Sequence, residues 1–224
     1  MLGALTTIPS EDFKNLYQSP SEITKSTRRT REWTIPQLRA AQISSGRILS
    51  LGCGNGADIM EMRSAGYDAL GIDLYPPIPE ARPWFKLAPA WELPFPAQSF
   101  DAVVCLEVIE HIPHEKRSDT ATEMKRIIRP GGVIILATPN RFFPVDEHAA
   151  FLRLHSPFRD DTLSCAEIEK LFGLHAQTLS WKKYFQFARF GKAEKLLHWS
   201  IAMFDIPVLH RSALNPHLFL LLRL

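Results

Sequence analysis

The sequence predicts an α/β fold, a doubly wound sheet of mostly parallel strands with helices on both faces. Three observations predict it. Short apolar runs recur at Ile48–Leu51, Ala69–Ile72, Phe100–Leu106 and Val133–Ala137, with intervening stretches that suit helical crossovers. Phe100–Leu106 (FDAVVCL) is apolar enough to be buried on both faces, as a central parallel strand would be. A glycine-rich turn, Gly52, Gly54 and Gly56, follows the first run where such folds pass from strand to helix.

Taken in order, residues 1–46 read as a helical N-terminal cap without a strong strand. Thr34, Pro36 and Gln37 predict a helix start, and Gly46 a stop. Ile48–Leu51 is the first strand. Ala69–Ile72 is the second, ending on Asp73 before the turn-rich DLYPPIPEARP. Phe85–Leu87 is a short third strand and Phe100–Leu106 the fourth. A polar helix follows around Asp119–Ile128, and Gly131-Gly132 is expected to turn the chain into the fifth strand, Val133–Ala137. Asn140–Asp161, rich in prolines and aromatics, reads as a loop lining a pocket. Ser164 to Glu167 is a capping box opening a helix with Ile168, Leu171 and Phe172 inward and Gly173 at its end. Thr178–Trp181 is expected as strand six and His217–Leu222 as the last strand. Between them, over about 186–210, Leu196, Leu197, Ser200, Ile201 and Phe204 share one helical face, as in a lid.

The 224 residues suffice for one substantial core, and a formal charge of +2 carries no general polyanion-binding signature. Cys53, Cys105 and Cys165 are an odd number without metal-ligand spacing; no metal site is expected. No apolar run reaches the length of about 18 residues that suggests a membrane span, and no secretory signal is read, so a cytoplasmic location is expected. The sequence carries no reliable sign of oligomeric state.

The richest stretch is Arg47–Pro76. A glycine turn between strand and helix lets a ligand approach the backbone. Asp73, 21 residues after Gly52, is placed to accept hydrogen bonds from ribose hydroxyls. Together they predict an adenosine-containing cofactor. Gly52, Gly54 and Ala57 also satisfy the dinucleotide fingerprint, so the turn alone leaves a nicotinamide cofactor open.

Four blocks resolve this by resemblance: LGCGNG, GIDLY, LPFPAQSFDAVVCLEVIEHI and IIRPGGVIILATPNR, over roughly residues 47–141. In order and spacing they resemble the class I S-adenosylmethionine-dependent methyltransferases, in the small-molecule group that includes quinone-biosynthesis enzymes. The resemblance implies a Rossmann-like seven-stranded sheet over 47–224, with strand seven antiparallel between five and six. It places Gly52, Gly54 and Gly56 against the methionine part of S-adenosyl-L-methionine, with Cys53 and Leu74 as further cofactor contacts. Asp73 would hold the ribose hydroxyls, the chain around Ala90 and Trp91 would flank the adenine, and Leu106 and Glu107 would lie beside the amino-acid end. Where the family usually has acids, this chain has Ser50 and Pro89; Glu92 or a backbone carbonyl would then serve the adenine amino group.

The implied reaction is in-line methyl transfer to a small, hydrophobic acceptor at oxygen or carbon. For a hydroxyl acceptor, His148, in the loop after strand five, is the first candidate base and His111 the second; His155 is a weaker one. Peripheral membrane contact through 190–206 is the alternative use of the apolar lid face. A nucleic-acid methyltransferase is disfavoured, because no [D/N]-P-P-[Y/F] motif follows strand four. A degenerate, non-catalytic binding module stays open.

Overall fold

The computed structural model describes residues 17–142, 145–146, 151–152, 162–180 and 217–224. The sheet contains β1 (Arg47–Leu51), β2 (Asp68–Asp73), β3 (Phe85–Leu87), β4 (Phe100–Leu106), β5 (Ile128–Pro139), β6 (Ala176–Thr178) and β7 (His217–Arg223). Their order is β3-β2-β1-β4-β5-β7-β6, and β7 alone runs antiparallel to its neighbours. A two-residue ladder, Val145–Asp146 with Phe151–Leu152, stands outside this sheet.

Alternation along each strand sorts side chains into two cores. Leu49, Leu51, Val103, Cys105, Ile134 and Leu136 pack on one face with Met124 and Ile127 of α4 (Arg117–Ile127) and Ile168 and Phe172 of α5 (Cys165–Phe172). Ile48, Ala102, Val104, Val133, Ile135 and Phe219 pack on the other. That face is covered by the π turn Thr30–Thr34, α2 (Ile35–Ala40) and α3 (Ala57–Ser64), through Trp33, Ile35, Leu38, Ile59 and Met62, while α1 (Pro20–Arg29) has no fully buried residue. The chain from Trp33 to Ala41 is thus built into the sheet's second core. Ser164 and Glu167 form the expected capping box, and Gly173 closes α5 in the left-handed conformation.

Two expectations need correction and one refinement. The helix expected at Thr34 does begin there, as α2 with Pro36 in its first turn, but not as a fresh start: α1 continues into it through a π turn, Thr30–Thr34, with no side-chain cap. Pro36 cannot donate the amide an α-helix needs, and the π turn shifts the pattern just before it, so that Ile35 donates back to Thr30. Gly131-Gly132 does not precede β5 but lies within it, at an irregularity between Phe100↔Ile128 and Ala102↔Val133. The C-terminus holds this bulge, since Gly131 N donates to Leu224 O and Leu224 N to Gly132 O. The strand expected at Thr178–Trp181 is instead Ala176–Thr178, because the chain extends as soon as α5 has closed and pairs Ala176 with Leu222. The lid helix expected near 186–210 lies outside the described residues.

Trp33 joins the N-terminal helices to β7: its ring meets Phe219 edge-on at 5.4 Å and its Nε1 donates to Ser180 O at 2.8 Å. Trp33→Ala should cost about 3–5 kcal/mol, read as a lower urea midpoint.

Candidate functional site

The site is organised by the turn that leaves β1. Ile72 O accepts hydrogen bonds from Gly52 N (2.9 Å) and Cys53 N (3.0 Å), and Cys53 O accepts one from Gly56 N (2.9 Å). The Asp73 carboxylate completes the stitching: Oδ2 accepts from Gly54 N at 2.9 Å, and Oδ1 from Leu74 N at 2.7 Å and Tyr75 N at 3.2 Å. A carboxylate offers about four lone-pair positions, so one, on Oδ2, remains for a further donor. Burial pushes the Asp73 carboxyl above its ordinary range, against the pull of these three amides.

Two glycines of the turn differ in purpose. Gly52 has φ +71°, and the space of its missing Cβ is filled by the Val108 side chain. Gly54 has φ +54°, and a Cβ there would meet nothing within 4 Å among the described residues. Gly52 therefore serves close packing, whereas Gly54 faces open space beside Asp73.

Ser50, at the family's acidic position, donates its hydroxyl to the carboxylate of Asp58. Asp58 is buried at the start of α3, where burial raises its pKa and the Ser50 hydroxyl and Arg29 charge pull it back. A carboxylate thus stands beside Ser50, supplied by the helix instead of the strand. A serine at the acidic position, followed by an aspartate in the first turn of the next helix, is the sequence signal for it.

The opposite wall comes from the ends of β4, β5 and β7. Glu107 follows β4 with φ +58°, its amide donating to Ala137 O. Its Oε2 lies 3.1 Å from His217 Nε2, pairing a partly exposed carboxylate with a buried imidazole. Glu110, only 5 % exposed, accepts at Oε2 from Thr138 Oγ1 (2.9 Å). Its Oε1 is buried without a hydrogen-bond partner among the described residues. Burial, then the nearby Glu107 charge, push the Glu110 carboxyl up to about 8.

Gly54, Asp73, Leu74, Leu106 and Glu107 therefore meet at one edge, because Leu51 pairs with both Ile72 and Cys105. From the end of β2 across β1 to β4 is about 10 Å at ordinary strand spacing. Cys53 lies in the same turn, but its thiol points into the core against Gly71. Gly56 is also internal, its Cβ position closed by Ala81 and Pro77. Trp91 is half-buried against the first core beside Ala90, and Glu92 is exposed. His111 lies beside the site, with a side chain 60 % exposed and Nε2 4.0 Å from Glu110 Oε1. His148 and His155 lie outside the described residues.

Sequence reasoning missed His217 and Tyr17. Tyr17 O accepts from Asn55 Nδ2 at 2.8 Å, and Gln18 Nε2 donates to Pro76 O at 2.9 Å, so the N-terminal segment straddles the turn and the loop after Asp73. Burial raises the Tyr17 phenol's pKa, and the negative charges of Asp73, Glu22 and Glu110 add to it. Among the described residues, no group of three or more His, Cys, Asp or Glu side chains is placed to hold a metal ion. No helix there is long and apolar enough to cross a membrane.

A methyltransferase domain family matches residues 26–202. The chain belongs to that family. A ubiquinone biosynthesis O-methyltransferase of Dechloromonas aromatica is 32 % identical over 117 residues, covering 46 % of this chain and 48 % of that enzyme. The matches to such curated relatives span about half of their length. Among solved structures, the 1,6-didemethyltoxoflavin-N1-methyltransferase of Burkholderia thailandensis, with bound 1,6-didemethyltoxoflavin and S-adenosylhomocysteine, superposes with a TM-score of 0.58. That likeness covers 96 % of this chain and 86 % of that one at 16 % identity. A SAM-dependent methyltransferase of Archaeoglobus fulgidus gives 0.57 over 95 % and 98 % at 14 % identity. At these identities the likeness shows the fold, the Rossmann-like sheet that the motifs imply.

The two glycines should separate experimentally. Gly54→Ala should cost about 1–2 kcal/mol of stability, from the left-handed backbone alone. Gly52→Ala, which also meets Val108, should cost about 2–5 kcal/mol; urea denaturation of both variants checks the order. Glu110 adds a pH dependence. With its folded pKa raised from 4.5 to about 8, the native state holds a proton that the unfolded chain has lost between those values. Its contribution to stability therefore falls as pH rises through that window. Glu110→Gln should flatten the fall, seen by comparing urea midpoints at the two ends of the window.

Proposed function

We propose that this chain is an S-adenosylmethionine-dependent methyltransferase acting on a small, hydrophobic acceptor at oxygen or carbon. The observation that carries this reading is the pairing of an open Gly54 with an Asp73 carboxylate that keeps one Oδ2 lone pair. That pair suits a nucleoside cofactor: the glycine leaves room for the ligand, and the acid accepts from a ribose hydroxyl. Family membership selects the methyl donor over a nicotinamide. The relatives named ubiquinone biosynthesis O-methyltransferases favour O-methylation.

When bound, S-adenosylmethionine supplies a methyl group already activated on a sulfonium. The residues would bind, align and manage one proton. Asp73 and Leu74 would hold the ribose, Ala90 and Trp91 would flank the adenine, and Leu106 and Glu107 would bound the amino-acid end. Alignment of acceptor and methyl is the main contribution asked of the protein, on the order of several kcal/mol. For a hydroxyl acceptor, His111 beside Glu110 would take the proton, with His148 as the other histidine proposed for that role; such a base is worth about 10²–10⁴-fold.

Calorimetric titration with S-adenosylmethionine tests the reading. Wild type should bind, and Asp73→Ala should lose affinity by about 10- to 100-fold, as for a hydrogen bond to a charged group. Absence of binding by folded wild type, or equal affinity in the variant, would contradict it.

A further inference from the structure

We propose that binding of the cationic cofactor strips the proton from Glu110 and thereby arms His111 as the base for the acceptor. This inference rests on the proposed use of S-adenosylmethionine and adds a switch to it.

The geometry is specific. Glu110 is buried at the ends of β4 and β5, with one carboxyl oxygen tied to Thr138 and the other, Oε1, buried without a hydrogen-bond partner among the described residues. A fixed negative charge in such a place is costly, and holding a proton avoids the cost. Among the described residues, the titratable groups facing it are Cys105 from β4, Glu107 just after β4, His217 from β7, Tyr17 from the N-terminal segment, and His111 beside it. Arg117 binds the carbonyl oxygens of Glu110 and Ile112 with its guanidinium. Of these neighbours, Glu107 opposes ionisation, and His217 favours it when charged.

Between Gly54 and Glu107, residues that would hold S-adenosylmethionine, a positive charge would shift this balance. Glu110 would then favour its carboxylate form and release its proton to solvent. The new carboxylate faces His111 Nε2 at 4.0 Å, an ion-pair distance for an imidazolium. His111 becomes more basic at the stage when the methyl donor is in place. In the transfer step the O–CH3 bond forms and the S–CH3 bond breaks. The hydroxyl proton goes to the other nitrogen of His111. The sulfonium loses its positive charge as the imidazole gains one, so the net charge of the pocket is unchanged. With the thioether product, Glu110 again prefers its proton, which His111 supplies.

The test is calorimetry at about pH 7 in two buffers of different ionisation enthalpy, with S-adenosylmethionine and with S-adenosylhomocysteine. Wild type should release about one proton with the cation and far fewer with the neutral thioether. Glu110→Gln should still bind S-adenosylmethionine but release none. If that variant does not fold, Thr138→Val replaces it: loss of the hydrogen bond to Oε2 should move proton release to higher pH. Nuclear magnetic resonance supplies the second arm. In the S-adenosylmethionine complex, the His111 ring should titrate at higher pH in wild type than in Glu110→Gln, or than in Thr138→Val where that stands in. Binding with buffer-independent enthalpy, equal release for both ligands, or equal His111 titration would overturn the switch while leaving the cofactor reading intact. No binding of either ligand would overturn both.

Discussion

Ile72 and Asp73 end β2 by accepting hydrogen bonds from the turn that ends β1, and the candidate site depends on that stitching. Two amides close on the Ile72 carbonyl and a third on the Asp73 carboxylate. A glycine turn left to itself would sample many conformations, at a large entropic cost of ordering. Here the neighbouring strand fixes it, and Val108 locks Gly52 from the other side. What remains open is the space in front of Gly54. The same acid that shapes the turn thus faces the ligand, which couples the fold to the site through one residue.

Acids dominate this edge in a chain whose formal net charge is only +2. Asp73 stands on one side and Glu107 and Glu110 on the other, with His217 set behind Glu107. Burial raises the pKa of both Asp73 and Glu110, and for Glu110 it reduces the charge the group carries. Such an edge suits a ligand that brings positive charge. It also explains why Glu110 can persist in a buried place: it is a proton carrier for part of the pH range, not a permanent charge.

The strands were legible because burial on both faces demands apolar runs, and FDAVVCL coincides with β4 from Phe100 to Leu106. The turn and Asp73 were legible because their chemistry is local. The helix beginning after Thr34 was legible from Thr34 and Pro36, but its continuity with α1 through the π turn was not, since no local pattern marks that turn. The Glu107–His217 contact links residues 110 positions apart, and no local pattern announces it. Ser50 read as a missing acid, yet Asp58, one strand-to-helix turn later, stands against it. Side chains that meet only through the sheet's order, with β7 threaded between β5 and β6, need the topology before they can be seen.

A crystal structure grown with S-adenosylhomocysteine would test the central claim most directly. The arrangement predicts density in front of Gly54, with a ribose hydroxyl on Asp73 Oδ2 and the amino-acid end toward Leu106 and Glu107. Ligand bound elsewhere, or an Asp73 carboxylate that touches only its three backbone amides in the complex, would contradict it.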